Sequence, residues 1–264
     1  MKATVNTIAG DGFEMEYAVF GNGPKKFVIL PGLSVSSVIP SAGAVASQYS
    51  IFTEDYTVYL FDRKKDIRTG YTVFDMADDT AEAMKLLNVR EADIFGASQG
   101  GMMALAIAAR HPELVHKLAL ASTQPGPSGS GVGVVARWQE LAKKDDPREL
   151  NHDIFSRVYS PAFHEKYGRA LKAFESNGTR KELDRFIVLA EAAKTFDIRA
   201  ELDKIKCPVF VAGMEDDTVL TSKGVHELSE VFGTEPLIYP GKGHACYDED
   251  RDFPSKIFAF FTEK

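Results

Sequence analysis

The sequence predicts an α/β fold built on a doubly wound, mostly parallel sheet with an inserted block of helices. Apolar runs of strand length alternate with segments of helical spacing through the first half of the chain. A long stretch with helical signals alone follows, and strand signals then resume before the C-terminus. Repeated strand–helix–strand units joined by short loops are typical of a parallel sheet with helices on both faces.

The first half alternates between the two kinds of element. Residues 13–20 alternate like a half-exposed strand, whereas residues 27–30 and 58–61 are continuous apolar runs, as in strands buried on both faces. Pro112 closes the longest apolar helix. The elements predicted here are strands at 13–20, 27–30, 58–61, 92–95 and 117–122 and helices at 75–88 and 99–110.

The pattern then breaks at residues 124–133, which are rich in Gly, Pro and Ser and predict a loop. Helices are predicted at 138–143, 153–159, 163–174, 181–195 and 253–261, and strands at 207–213 and 236–239. The domain prediction is therefore a core of residues 1–123 and 200–264, interrupted by a helical cap at 124–199.

Composition narrows the class of protein. The 264 residues carry a net charge of −7 without a basic tract, which disfavours nucleic acid and anionic membranes as partners. No apolar run approaches the length of a membrane span, and residues 1–7 lack the apolar core of a secretion signal. Cys207 and Cys246 are interpreted as reduced thiols. We expect a cytoplasmic protein that acts on a small molecule; its oligomeric state is left open.

The most informative motif is the run Gly-Ala-Ser-Gln-Gly at residues 96–100, between a predicted strand and a predicted helix. A serine flanked by glycines two residues away on each side, at such a turn, is the sequence form of a nucleophile elbow. Larger side chains at the flanking positions would collide where the helix returns past the strand. Ser98 is therefore a candidate nucleophile.

A serine nucleophile needs a base, and the base needs an orienting acid. Two late strands end in suitable residues: one is followed by Asp216 and Asp217, and the other by His244 in a glycine-rich loop. In a parallel sheet these strand ends converge on one edge. The order Ser98, acid, His244 is also the chain order of one class of catalytic triad.

With these motifs the chain resembles the α/β-hydrolase fold family, in its group of esterases, lipases and C–C hydrolases. The likeness covers nearly the whole chain except the helical block, and further matching runs lie at residues 30–32, 110–115 and 205–209. The resemblance implies an eight-stranded sheet, a helical cap, a Ser-His-Asp triad and no metal or organic cofactor.

The resemblance also implies a role for each matching residue. Ser98 is the expected nucleophile and His244 the general base. Because the family's acid usually stands three residues after the glycine that ends its strand, Asp216 is chosen over Asp217. The expected oxyanion donors are the backbone amides of Gln99 and of a residue after Pro31-Gly32, namely Leu33, with Ser34 as the alternative.

Several features of the sequence have more than one interpretation. Pro31-Gly32 stands where many relatives have His-Gly, and residues 63–68 form a charged loop in place of a glycine-rich one. That loop is interpreted as solvated, with binding of an acidic substrate group as the alternative. Cys246 is interpreted as a buried apolar residue, with a place in the site as the alternative. Six aromatic residues of the helical block could pack its core or line an acyl pocket: Trp138, Phe155, Tyr159, Phe163, Phe174 and Phe186.

The function expected from the sequence is that of a cofactor-independent serine hydrolase, a carboxylesterase on small esters. The same triad could instead cleave C–C or thioester bonds, transfer acyl groups or perform perhydrolysis. A different class of function, a slowly hydrolysing ligand-binding sensor, also fits the motifs. The substrate is not determined at this level.

Overall fold

The computed structural model describes residues 2–263 and contains an eight-stranded, mostly parallel sheet, as the sequence predicts. The strands are β1 (Thr4–Gly10), β2 (Phe13–Phe20), β3 (Lys25–Leu30), β4 (Tyr56–Phe61), β5 (Ala92–Ala97), β6 (Val115–Ala121), β7 (Val209–Gly213) and β8 (Leu237–Ile238). Their order across the sheet is β1-β2-β4-β3-β5-β6-β7-β8. β2 is antiparallel to both of its neighbours, β1 and β4, whereas the remaining pairs, from β4–β3 across to β7–β8, are parallel.

Helices cover both faces of this sheet. They are α1 (Ala42–Gln48), α2 (Val73–Leu86), α3 (Gln99–Arg110), α4 (Gly129–Lys143), α5 (Pro147–Val158), α6 (Pro161–Phe174), α7 (Arg180–Thr195), α8 (Lys223–Phe232), α9 (Cys246–Glu249) and α10 (Phe253–Thr262). Short 3-10 turns lie at Ile39–Ser41, Ser50–Phe52, Pro112–Leu114 and Arg199–Lys204. Within the described residues no helix is both long enough and apolar enough to traverse a bilayer.

Two apolar cores hold the layers together. One face of the sheet packs against α2, α3 and α8, and the other packs against α1 and α10. Every residue of α3 from Gln99 to Ala109 is buried, and its many alanines and glycines let the helix lie close to β5. The second core is aromatic, with Phe27 stacked on Phe52 at a centroid distance of 4.4 Å. The central strands are therefore fixed from both sides.

Four helices, α4 to α7, stand between β6 and β7, and we call residues 129–195 the helical insertion. α4 packs along α7 and α5, and α5 packs against α6. Its buried side chains, including Trp138 and Phe186, belong to the same core cluster as β3 and α3. Packing is therefore the role of these two aromatic residues, whereas Phe155, Tyr159 and Phe163 are half-buried and Phe174 is exposed.

The structure corrects some boundaries. α4 begins at Gly129, so the predicted loop at 124–133 is helical in its second half. Glycine lowers helix propensity there, but Val135 on the following turn is buried in the core and favours the helix. β1, α1, α8 and α9 were not predicted. β1 is an edge strand whose residues are all exposed or half-buried, so it lacks an apolar signal.

Candidate active site

The run at residues 96–100 adopts the strand–turn–helix geometry that its glycines suggest. β5 ends at Ala97, α3 begins at Gln99, and Ser98 between them has φ 52° and ψ −119°, a strained conformation for a residue with a side chain. A Cβ on Gly100 would overlap the carbonyl of Leu30, and one on Gly96 would overlap the backbone of Gly100. Both glycines are therefore required by close backbone packing.

Residues at the end of β6 form hydrogen bonds with the backbones of both Ser98 and His244. The Ser98 amide donates to the Ala121 carbonyl at 2.9 Å, and the Ser98 carbonyl accepts from the Thr123 hydroxyl at 2.7 Å. Between these two, the Ser122 hydroxyl donates to the His244 carbonyl at 2.6 Å. Three consecutive residues thus hold the backbones of the candidate nucleophile and the candidate base at one edge of the sheet.

His244 lies in the loop between β8 and α9, and its imidazole is almost fully buried. Its Nδ1 lies 2.8 Å from Asp217 Oδ2. The loop is packed so closely that a Cβ on Gly243 would overlap the carbonyl of Val158 at the end of α5. The contact with Asp217 fixes the ring orientation and leaves Nε2 as the nitrogen available for proton transfer.

The partner of His244 is Asp217, so the prediction of Asp216 was wrong. After β7 the chain makes a turn through Glu215 and Asp216 that points both side chains into solvent. Asp217 then turns inward, and its carboxylate is only 2% exposed. The carboxylate that contacts His244 therefore stands four residues after the strand-ending Gly213, one residue later than the spacing used in the prediction.

The Asp217 carboxylate is fully hydrogen-bonded. Its Oδ1 accepts from the amides of Val219 and Leu220 at 2.7 and 3.1 Å. Burial by itself would raise the pKa of Asp217, but the charge and hydrogen bond of His244 and these two amides lower the pKa below its ordinary value. The group is thus an anion at neutral pH, able to stabilise an imidazolium.

The two amides expected to bind an oxyanion flank Ser98. Gln99 N–H is at the start of α3, where the helix leaves its first amides without intrahelical acceptors. Across the described residues, no hydrogen bond uses the amide of Gln99 or that of Leu33. Gly32, next to Leu33, approaches Ser98 so closely that an added Cβ would lie 3.3 Å from Ser98 Cβ. Ser34 differs, since its hydroxyl donates to the carbonyl of Ser36.

Glu249 is a residue of this region that no sequence motif identified. Its Oε1 accepts from the amides of Gly243 and Ser160 at 3.0 and 2.7 Å, and its Oε2 accepts from the Ser160 hydroxyl at 2.6 Å. It therefore joins the loop that carries His244 to the junction of α5 and α6. The sequence signal that could have identified Glu249 is its position five residues after His244.

Arg63 was predicted to lie in a solvated loop, but its side chain is buried. Its side chain lies beneath Pro31-Gly32 and beside Gln99, with 3% of the residue exposed. The rest of the predicted charged loop fits the expectation better, since Lys65, Asp66 and Arg68 are exposed. Cys246 is fully buried, and burial raises the pKa of its thiol to about 12.

A surface groove of about 670 Å³ lies elsewhere, between residues 69–72 and the helices α4 and α7. Neither Ser98 nor His244 is part of its lining. The groove is therefore separate from the site described above.

Comparisons with known proteins agree with this fold. The model of the alpha/beta hydrolase fold family matches residues 27–250. RutD of Rhizobium rhizogenes, which is named as a carbamate hydrolase, is 26% identical over 243 residues, covering 87% of this chain and 92% of RutD.

Two solved structures share the fold over nearly the full length. An alpha/beta hydrolase enzyme from a Medee basin deep-sea metagenome library, MGS-M2, has a TM-score of 0.86 at 24% identity, covering 98% of both chains. The enol-lactonase from Burkholderia xenovorans LB400 has a TM-score of 0.84 at 20% identity, covering 98% of this chain and 100% of its own. At these identities the likeness concerns the fold.

Proposed function

Because the chain belongs to the alpha/beta hydrolase fold family, we propose that it is a serine hydrolase that cleaves small carboxylic esters through an acyl-enzyme. The observation that carries the proposal is the buried pair His244–Asp217, held at the same sheet edge as the strained Ser98. Ser98 is the nucleophile, His244 the general base and Asp217, in place of Asp216, the orienting acid.

The reaction follows from these positions. Ser98 Oγ attacks the ester carbonyl carbon while His244 Nε2 takes the hydroxyl proton, and Asp217 stabilises the resulting imidazolium. The carbonyl oxygen becomes an oxyanion that accepts hydrogen bonds from the amides of Gln99 and Leu33. When the tetrahedral intermediate collapses, the alcohol leaves with the proton from His244. A water molecule, deprotonated by His244, then attacks the acyl-enzyme and releases the acid and Ser98.

The helical insertion serves as a cap in this proposal. α7 contacts the site directly, since the Leu189 carbonyl accepts a hydrogen bond from the Gln99 side chain at 2.7 Å. Glu249 ties the junction of α5 and α6 to the His244 loop. The residues that face bound substrate, and hence acyl-chain preference, are therefore expected to come from α5, α6 and α7.

Carbamates and lactones are alternative substrates for the same proposed site. RutD is named as a carbamate hydrolase, and one neighbour in structure is an enol-lactonase. Carbamates and lactones would undergo the same attack by Ser98 and the same stabilisation of an oxyanion. A panel of p-nitrophenyl esters of increasing acyl length, aryl carbamates and small lactones would rank these bonds by kcat/KM.

The proposal is tested with Ser98→Ala and a fluorophosphonate probe. Rapid labelling of the wild-type protein at Ser98, lost in Ser98→Ala and slowed in His244→Ala, is the expected result. Turnover of p-nitrophenyl acetate should fall by about 10⁴-fold or more in Ser98→Ala. A wild-type protein that is not labelled, or a Ser98→Ala variant with wild-type turnover, would overturn the proposal and favour a ligand-binding role.

A further inference from the structure

A buried guanidinium lies directly beneath the loop that is proposed to supply an oxyanion donor. Arg63 follows β4 by two residues and points under the end of β3. Its Nη2 lies 2.6 Å from the Pro31 carbonyl, 2.9 Å from the Gly32 carbonyl and 3.1 Å from the Gln99 side-chain oxygen. One nitrogen thus contacts both of the segments that flank Ser98.

The contact with Gly32 acts on Leu33 through the peptide bond between them. The Gly32 carbonyl and the Leu33 N–H belong to one planar peptide group, and in a trans peptide they point in opposite directions. A cation that fixes the carbonyl on one side therefore fixes the direction of the N–H on the other side. The hydrogen bond to the carbonyl also polarises the peptide group and makes its N–H a stronger donor.

The contact with Gln99 acts on the second proposed donor. The Gln99 side chain is held at both ends, because its oxygen accepts from Arg63 and its nitrogen donates to the Leu189 carbonyl. The residue is 1% exposed. Its backbone amide, at the first position of α3, is therefore held by Arg63 on one side and by α7 on the other.

The charge around Arg63 is unbalanced. Arg185 Nη2 lies 3.5 Å from Asp62 Oδ1, whereas no carboxylate of the described residues lies within ion-pair distance of the Arg63 guanidinium. Arg185 also donates to the carbonyls of Arg63 and Lys64 at 3.0 and 3.2 Å. The Nε atoms of Arg63 and Arg185 are buried and have no hydrogen-bond partner among the described residues. The Arg63 guanidinium is thus a surplus positive charge, because its hydrogen-bond acceptors are uncharged oxygens.

Such a surplus is costly for folding, since an incompletely paired cation is removed from water. Burial lowers the pKa of Arg63 to about 10, which still leaves the guanidinium charged at neutral pH. The charge lies behind the two amides that are proposed to bind the substrate oxygen, on which negative charge would develop during attack by Ser98. An uncompensated cation at this place lowers the energy of an oxyanion more than that of a neutral carbonyl.

We propose that Arg63 is a positioning residue for the oxyanion hole, which aligns the Gly32–Leu33 peptide and Gln99 and places a buried positive charge behind them. The inference rests on the proposed serine hydrolase function. It assigns to Arg63 an effect on the transition state that exceeds any effect on substrate binding. Arg185 and Leu189 belong to α7, so this helix also contributes to the alignment of the two proposed oxyanion donors.

Arg63→Lys and Arg63→Met test the proposal, with Lys117→Met as the matched control. Lys117 is also a buried cation that donates to two backbone carbonyls, those of Phe260 and Glu263, but it lies near the opposite end of β6. Loss of either cation should lower the free energy of unfolding. Only loss of Arg63 should alter catalysis.

The expected result is a fall in kcat of about 10²-fold for Arg63→Met, with KM changed by less than about threefold and the pH midpoint of kcat unchanged. Arg63→Lys, which keeps the charge but not the planar fork, should lie between this variant and the wild type. The affinity for a boronic acid, which forms a tetrahedral anionic adduct with a catalytic serine, should fall in parallel with kcat/KM. Lys117→Met should keep kcat within about twofold.

Two outcomes separate this inference from the proposed function. If the wild-type protein is not labelled by a fluorophosphonate at Ser98, the function and the inference both fail. If the wild type is labelled, and folded Arg63→Lys and Arg63→Met keep kcat and boronate affinity within about threefold, the inference alone is overturned. Should Arg63→Met fail to fold, Arg63→Lys alone decides, because its ammonium group can still donate to the buried carbonyls that methionine would leave unsatisfied.

Discussion

Asp217 Oδ2 lies 2.8 Å from His244 Nδ1, and both side chains are almost completely buried. A second pair has the same contact length, Asp93 Oδ1 and His116 Nδ1 at 2.8 Å, but it lies near the amino ends of β5 and β6. The two Asp–His pairs therefore sit toward opposite ends of the sheet. Only the first is near Ser98, and this difference allows a matched test.

Asp217→Asn is expected to lower kcat by about 10⁴-fold, because an amide favours the wrong imidazole tautomer and cannot stabilise an imidazolium. Asp216→Asn changes an exposed side chain in the turn and should leave kcat within about twofold. Asp93→Asn changes the contact between a buried carboxylate and the exposed His116, away from the site, and should likewise leave kcat within about threefold. Steady-state hydrolysis of p-nitrophenyl acetate measures all three. A larger loss in Asp216→Asn than in Asp217→Asn would contradict the assignment.

The two buried carboxylates should give opposite pH dependences of stability. The pKa of Asp217 is lowered in the folded protein, so its stabilising contribution is present above about pH 4 and is lost as the pH falls through the folded-state pKa. Burial raises the pKa of Asp93, so its contribution is present at low pH and is lost as the pH rises from about 4 through the folded-state pKa.

Urea unfolding between about pH 2.5 and 7 would measure this difference. The free energy of unfolding of the wild type minus that of Asp217→Asn should grow as the pH rises. The same difference for Asp93→Asn should shrink as the pH rises. Parallel slopes for the two variants would show that the environments of the two carboxylates are alike, against the contacts described.

Gly100→Ala should be severely destabilising, by about 3 kcal/mol or more, because the new methyl group would overlap the Leu30 carbonyl in the centre of the sheet. Gly168→Ala is the matched change in α6, where a Cβ would meet no atom within 4 Å. Alanine at position 168 should stabilise the protein by about 0.5–1 kcal/mol through its higher helix propensity. Thermal unfolding of both variants checks the pair, and equal effects would contradict the close packing at the elbow.

Glu249→Ala should lower the free energy of unfolding by about 2 kcal/mol, because it removes the acceptor of the Gly243 amide and of two Ser160 donors. Since His244 follows Gly243 directly, kcat should also fall, by about tenfold or less. The exposed Glu235 supplies the control, and Glu235→Ala should change neither quantity measurably. A Glu249→Ala variant with wild-type stability and kcat would show that the His244 loop is held by other contacts.

Features that depend on short-range sterics and on the hydrophobic pattern could be predicted from the amino-acid sequence. The elbow could be predicted because residues 96–100 must satisfy local crowding, and β3, β5 and α3 could be predicted because apolar runs report burial directly. The fold class and the family follow from the repetition of these local signals.

Which side chains contact one another could be seen only in the folded chain. Asp216 and Asp217 are adjacent carboxylates that differ only in which one an irregular turn directs toward His244. Arg63 has the sequence signature of a solvated charge, yet β3, α3 and α7 enclose it and supply its acceptors or neighbours. Such contacts join residues far apart in the chain, so no local pattern encodes them, and their geometry is fixed by the packing of the helical insertion on the sheet.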